Sequence, residues 1–239
     1  MDGPAQAGAG ADLMAPPWKA VLFDLDGTLI ETAPEIADAV NDTLQHLGHD
    51  PVEQTRVDAW IGHGTRELLI SALAHSRSCA VQDVRRSPDL PDISAVFTRH
   101  YERRCGTRSR LYPGVRETLI TLRAHGCRLA VVTNKEGRYT DVVLRAHALE
   151  GLFDLVISGD TLPTKKPDPQ GVLHCLQRFS VHPEDALFVG DSSIDAATAR
   201  RAGLKVWLLP YGYNMGQSVH ACGPDRVIET VQEVLEPVA

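Results

Sequence analysis

The chain has 239 residues, with 31 acidic against 24 basic side chains, a formal net charge of −7 and 43% hydrophobic content. That length suits one to two domains, and the apolar content supports a packed core, which excludes a disordered chain. The acidic surplus argues against nucleic-acid or membrane-surface binding driven by charge, and no run of about 18 apolar residues predicts a membrane span.

Residues 1–17 read as a flexible tail rich in Ala, Gly and Pro. They lack the basic start and apolar centre of a secretion signal and the arginines of a transit peptide, so a cytoplasmic address is expected. Short apolar runs at 20–25, 128–133, 155–158, 186–190 and 205–209 predict strands, and their near-continuous Val, Leu and Ile content fits parallel strands covered on both faces. Helical patterns at 115–125 and 169–179 alternate with them, which implies an open α/β sheet with crossover connections. Between 33 and 110 only helical patterns occur. A capping box at Thr32-Ala33-Pro34-Glu35 opens the first helix, and Gly48 closes it. Further helices are expected over 65–74 and 93–104, separated by a loop holding Ser87-Pro88 and Leu90-Pro91. The five cysteines are scattered without a CxxC pair, as expected of buried thiols in a reducing compartment.

In an open parallel sheet the site lies beyond the carboxyl ends of the strands, so the residues that end each apolar run carry the functional reading. The first run ends in Asp24-Leu25-Asp26-Gly27-Thr28. Two carboxylates two residues apart project to one side if the strand continues, and their repulsion is relieved by a hard cation such as Mg²⁺. Asp191 and Asp195 follow the fourth run. Four residues apart, they share a helical face if a helix starts there. Asp191 is placed to complete a metal site, and Asp195 to orient either Lys166 or the waters of the metal. Thr133 and Asn134 end the second run, where a hydroxyl and a backbone N–H at a helix start would seat phosphate oxygens. Lys166 supplies positive charge for a phosphate and for a nucleophilic carboxylate. A carboxylate pair, a metal, an anion seat and a lysine together match phosphoryl transfer.

This arrangement resembles the haloacid dehalogenase-like hydrolase superfamily, in the branch with a helical cap inserted after the first motif. The resemblance implies a Rossmann-like parallel-sheet core over 18–32 and 111–239 and an inserted α-helical cap over 33–110. It also implies that Asp24 attacks phosphorus to form an aspartyl-phosphate, and that Asp26 protonates the leaving alcohol and then activates water. Asp24, the backbone carbonyl of Asp26 and Asp191 would hold Mg²⁺, with Thr133 and Lys166 on the phosphate. An aspartate at position 26 favours phosphate esters over carbon–halogen or carbon–phosphorus bonds.

Longer stretches resemble phosphoglycolate phosphatases: Ile61-Gly62-His63-Gly64, Leu111-Tyr112-Pro113-Gly114-Val115, Val132-Thr133-Asn134-Lys135, Ser158-Gly159-Asp160-Thr161-Leu162 and Tyr211-Gly212-Tyr213-Asn214. Gly62 and Gly64 either let a cap loop close over a very small substrate or simply make a turn. Arg66, beside them, is the candidate cation for a substrate carboxylate. The expected ligand is thus a small phosphorylated acid, 2-phosphoglycolate. A sugar phosphate or pyrophosphate on the same scaffold is the alternative, and a non-catalytic phospho-ligand binding protein the remote one. A phosphoglucomutase-type isomerase is disfavoured because its first motif commonly carries valine where Thr28 stands.

Overall fold

The computed structural model describes residues 16–237; most of the expected tail at 1–17 lies outside them. Six parallel strands form one sheet in the order β5-β4-β1-β6-β7-β8. These are β1 (Ala20–Phe23), β4 (Arg128–Val132), β5 (Leu155–Ile157), β6 (Ala186–Gly190), β7 (Lys205–Leu208) and β8 (Arg226–Val227). Every residue of β1 is buried, and successive side chains serve opposite layers. Val21 and Phe23 join one apolar cluster with α6 (Val115–Ala124) and α7 (Gly137–Ala146). Ala20 and Leu22 join the other, with α8 (Gln170–Phe179) and α9 (Ser193–Ala202). Helices thus cover both faces, which is why the strands read as continuous apolar runs.

The order reverses around β1, which pairs with β4 on one side and β6 on the other, Phe23 lying level with Val131 and Val189. Such a reversal opens a crevice at the carboxyl ends of the flanking strands. Asp24, Thr133 and Asp191 all follow within two residues of that level. The expected first strand stops at Phe23 rather than at position 25, because the N–H groups of Thr28, Leu29 and Ile30 all turn back to the Leu25 carbonyl.

Between β1 and β4 the chain leaves the sheet through β2 (Ile30–Glu31) and returns through β3 (Arg110–Leu111), the two crossings pairing antiparallel. The excursion holds α1 (Ala33–His46), α2 (Gln54–Asp58), α3 (Thr65–Ser76), α4 (Val81–Arg85) and α5 (Leu90–Arg104), with α1 packed along α5. Two expectations change here. Leu90 and Pro91 lie in the first turn of α5, where the missing proline N–H costs nothing, and not in a loop. The Thr32 hydroxyl does not cap α1; it donates to Asp26 Oδ1 at 2.6 Å, and the hydroxyl of Tyr213 instead accepts the N–H groups of Thr32 and Ala33 at 3.2 and 3.0 Å. The expected cysteine burial holds for Cys105, Cys127 and Cys175, while Cys79 is exposed and Cys222 half-buried; all five are free thiols. Among the described residues no helix is long and apolar enough to cross a membrane.

Glu35, fully buried on α1, accepts the N–H groups of Arg108 and Ser109 just ahead of β3, at 3.3 and 3.0 Å. Removing that carboxylate strands two backbone donors at the crossing. Glu35→Ala is therefore expected to lower unfolding free energy by about 2–3 kcal/mol in urea titrations, whereas an exposed-site change would cost under ~0.5.

Candidate active site

At the end of β1, Asp24 is buried against Lys166, whose Nζ lies 2.6 Å from Asp24 Oδ1 and 2.7 Å from Asp195 Oδ1. Burial opposes the charge on Lys166, but the two carboxylates more than offset it and hold the ammonium above its ordinary range. Asp24 feels the reverse balance. Burial pushes it up most, Lys166 pulls it down, and the charges of Asp195 and Asp26 push again, so that it stands at about 7. Asp191 is also raised, first by burial and then by Asp195 and Asp24.

Asp195 holds this arrangement from beneath. Asp191 and Asp195 do not share a helical face, because α9 begins only at Ser193 with Ser192 as its cap. Asp195 turns back from the first turn, and its Oδ2 accepts the N–H groups of Asp191 and Ser192 and the Ser192 hydroxyl. One carboxylate thus caps the helix and anchors Lys166 at once. Asp191 is fixed by the Thr28 hydroxyl at 3.0 Å and by the N–H of Tyr213. Gly27 and Gly212 close around it: a side chain at either position would collide with the Asp191 carboxylate.

Asp24, Asp191 and Asp195 each offer an oxygen within 4.8 Å of the others. Three buried carboxylates against one lysine leave an excess of negative charge that a divalent cation would neutralise, and an all-oxygen donor set suits a hard ion. The residues present therefore fit a metal of the Mg²⁺ class. Asp26 is the fourth carboxylate, and its side chain lies outside this triad. It meets Lys135 Nζ at 2.9 and 3.2 Å as well as the Thr32 hydroxyl.

Thr133 lines the same cavity, its hydroxyl accepting the Lys135 N–H at 3.2 Å. The expected helix start at Thr133-Asn134 is not found, since α7 begins at Gly137. The Asn134 side-chain amide is committed elsewhere, donating to the carbonyls of Gly62 and Lys166 at 2.9 and 3.0 Å, so it clamps the loop before α3 onto the sheet. Lys165 adds a second clamp through the His63 carbonyl at 2.7 Å. Gly62 and Gly64, both at positive φ, line the cavity there, so the loop does sit over the strand ends. Arg66 does not line it: its side chain is 56% exposed and pairs with its neighbour Glu67 at 3.3 Å. The excursion lines the cavity with apolar side chains instead, Ile36, Ile61 and Leu68, and Ile194 of α9 lines it from the sheet side. Lys135 had no role assigned from sequence; its signal was position, one residue past the expected phosphate seat.

A model of the haloacid dehalogenase-like hydrolase family matches residues 21–209. The chain is 43% identical over 220 residues to the phosphoglycolate phosphatase of Nitrosospira multiformis, covering 91% of this chain and 94% of that protein. The chain belongs to the haloacid dehalogenase-like hydrolases, in their phosphoglycolate phosphatase family. A solved structure described as a predicted phosphoglycolate phosphatase from Haemophilus somnus superposes with a TM-score of 0.85 at 32% identity, covering 92% of this chain and 97% of its own. The structure of CbbY from Rhodobacter sphaeroides in complex with phosphate matches with a TM-score of 0.75 at 27% identity, covering 92% and 97%.

The raised carboxylates would make the binding of a divalent cation depend on pH. Below about pH 7 a proton on Asp24 competes with the cation, and above it the cation meets the free carboxylate. Millimolar Mg²⁺ is expected to raise the thermal midpoint by about 2–5 °C near pH 8 and by clearly less near pH 6. Scanning calorimetry at both values, with Asp191→Asn as the variant that loses the shift, checks this.

Proposed function

We propose that this hydrolase cleaves 2-phosphoglycolate to glycolate and phosphate, with Mg²⁺, through an aspartyl-phosphate on Asp24. The observation that carries the reading is the pairing of Asp24 with Lys166 at the floor of a cavity where a second carboxylate, Asp26, stands separately from the acidic triad. One carboxylate is thereby equipped to attack and another to exchange a proton.

In the first step an Asp24 oxygen forms a bond to phosphorus as the bond to the glycolate oxygen breaks, and Asp26 gives that oxygen its proton. In the second, water attacks the same phosphorus, the bond to Asp24 breaks, and Asp26 takes the water's proton. Lys166 balances charge on Asp24 and on the phosphoryl oxygens throughout, and the Thr133 hydroxyl lies within the cavity to bind them. Asp24, the Asp26 carbonyl and Asp191 would hold Mg²⁺, which would neutralise negative charge on the phosphate and on the attacking carboxylate. The loop at Gly62–Gly64, held over the strand ends by Asn134 and Lys165, supports a small substrate. The names of the matched relatives support 2-phosphoglycolate itself.

A second reading, hydrolysis of another small phosphate ester, is favoured by one observation. No cation from α1–α5 lines the cavity to meet a substrate carboxylate, since Arg66 points elsewhere and the lining lysines, Lys135 and Lys166, both come from beside the sheet. Phosphate release with Mg²⁺ from 2-phosphoglycolate, 3-phosphoglycerate, glucose 6-phosphate, pyrophosphate and p-nitrophenyl phosphate separates the two. A kcat/KM for 2-phosphoglycolate at least about a hundredfold above the rest, roughly 2.7 kcal/mol, is the expected result. A flat profile supports the second reading, and no release from any compound overturns both. Asp24→Asn is expected to cut kcat by at least about a thousandfold with the circular dichroism spectrum unchanged.

A further inference from the structure

Lys135 is a buried cation at the cavity to which the two chemical steps assign no task, and a buried ammonium is retained only where its partners hold it. Its side chain is 1% exposed. Two of its contacts grip the Asp26 carboxylate, at 2.9 Å to Oδ1 and 3.2 Å to Oδ2, and a third donates to the Tyr101 hydroxyl at 2.6 Å. Asp26 Oδ1 also accepts the Thr32 hydroxyl at 2.6 Å. That oxygen is therefore saturated on the protein side, while Oδ2 keeps only the longer contact and is the one left for proton exchange. Tyr101 comes from α5, in the excursion between β2 and β3, and is fully buried with its ring 4.3 Å from that of Tyr139 on α7. A residue from the inserted helices thus fixes the lysine that fixes Asp26.

We propose that Lys135 is a positioning residue that orients Asp26 toward the leaving oxygen, and that Tyr101 couples this orientation to the seating of the inserted helices on the sheet. The proposal rests on the phosphatase reading but not on 2-phosphoglycolate as the substrate. A positioning role for the leaving-group acid has a distinctive signature. An alkyl phosphate expels a poor leaving group that needs the proton, whereas p-nitrophenolate leaves with little help.

The experiment compares kcat for p-nitrophenyl phosphate with kcat for whichever alkyl phosphate the wild-type enzyme cleaves best. Lys135→Met is expected to lose at least about tenfold more on the alkyl ester than on p-nitrophenyl phosphate, and Tyr101→Phe about threefold more. In an Asp26→Asn background, Lys135→Met is expected to add no further selective loss, since the group it positions is already disabled. Equal losses on the two substrates, or a selective loss that persists in the Asp26→Asn background, overturn the proposal. Tyr101→Phe keeps the buried ring, so an absent selective effect in that variant overturns the coupling even if Lys135→Met fails to fold. A wild-type enzyme that cleaves alkyl phosphates other than 2-phosphoglycolate removes only the substrate assignment, and one that cleaves none removes the phosphatase reading itself.

Discussion

Lys166, held between Asp24 and Asp195, is the interaction on which the rest of the site depends. Three carboxylates, Asp24, Asp191 and Asp195, are brought together at the ends of two adjacent parallel strands, and a low-dielectric crevice does not tolerate that much like charge without compensation. The lysine supplies one positive charge and the capped start of α9 supplies N–H groups, which together secure Asp195 as a fixed counter-charge. Burial, and after it the charge of the neighbouring carboxylates, pushes both Asp24 and Asp191 upward. The same crowding of buried carboxylates suits the site to a divalent cation.

The fold delivers this geometry at little local expense. Reversal of strand order around β1 sets three chain segments side by side at one level, and each leaves the sheet carrying a different group. The insertion between β2 and β3 closes the crevice from above without interrupting the sheet, because it departs and returns through paired crossings. It lines the cavity with apolar side chains and is fixed to the site by polar contacts: Thr32 and Tyr101 reach Asp26 directly or through Lys135, and the loop at Gly62–Gly64 is pinned by Asn134 and Lys165. Tyr213 works from the other side, capping α1 with its hydroxyl and fixing Asp191 with its N–H.

Residues at strand ends were legible in the sequence because burial on both faces makes a parallel strand an apolar run, and the group that ends the run stands out. Asp24, Asp191 and Thr133 stand out in this way, whereas Lys166, well past the third run, is read from its charge alone; all four line one cavity. Helices α2 and α4 were not legible, since five residues are too few to display a period. Helix α7 is legible only as a helix expected to start at Thr133-Asn134; it begins with glycine and lacks a side-chain cap, so nothing local marks Gly137 as its true start. The roles of Asn134 and Arg66 depended on which way a side chain turns across tens of residues of sequence separation, and spacing along the chain carries no information on that. The capping box expected at Thr32 failed for a related reason: its hydroxyl had a charged acceptor, Asp26, within reach, and a charge-assisted bond outcompetes a neutral cap.

The central claim is that Asp24 carries the phosphoryl group during turnover. Acid quenching of the enzyme in mid-reaction, followed by borohydride reduction and peptide mass spectrometry, reads this directly, because an acyl phosphate is reduced to the alcohol whereas a free carboxylate is not. The account predicts homoserine at position 24 in the sample quenched during turnover and none in the sample without substrate. Phosphate release with no reducible acyl phosphate, or reduction at any other carboxylate, would contradict it.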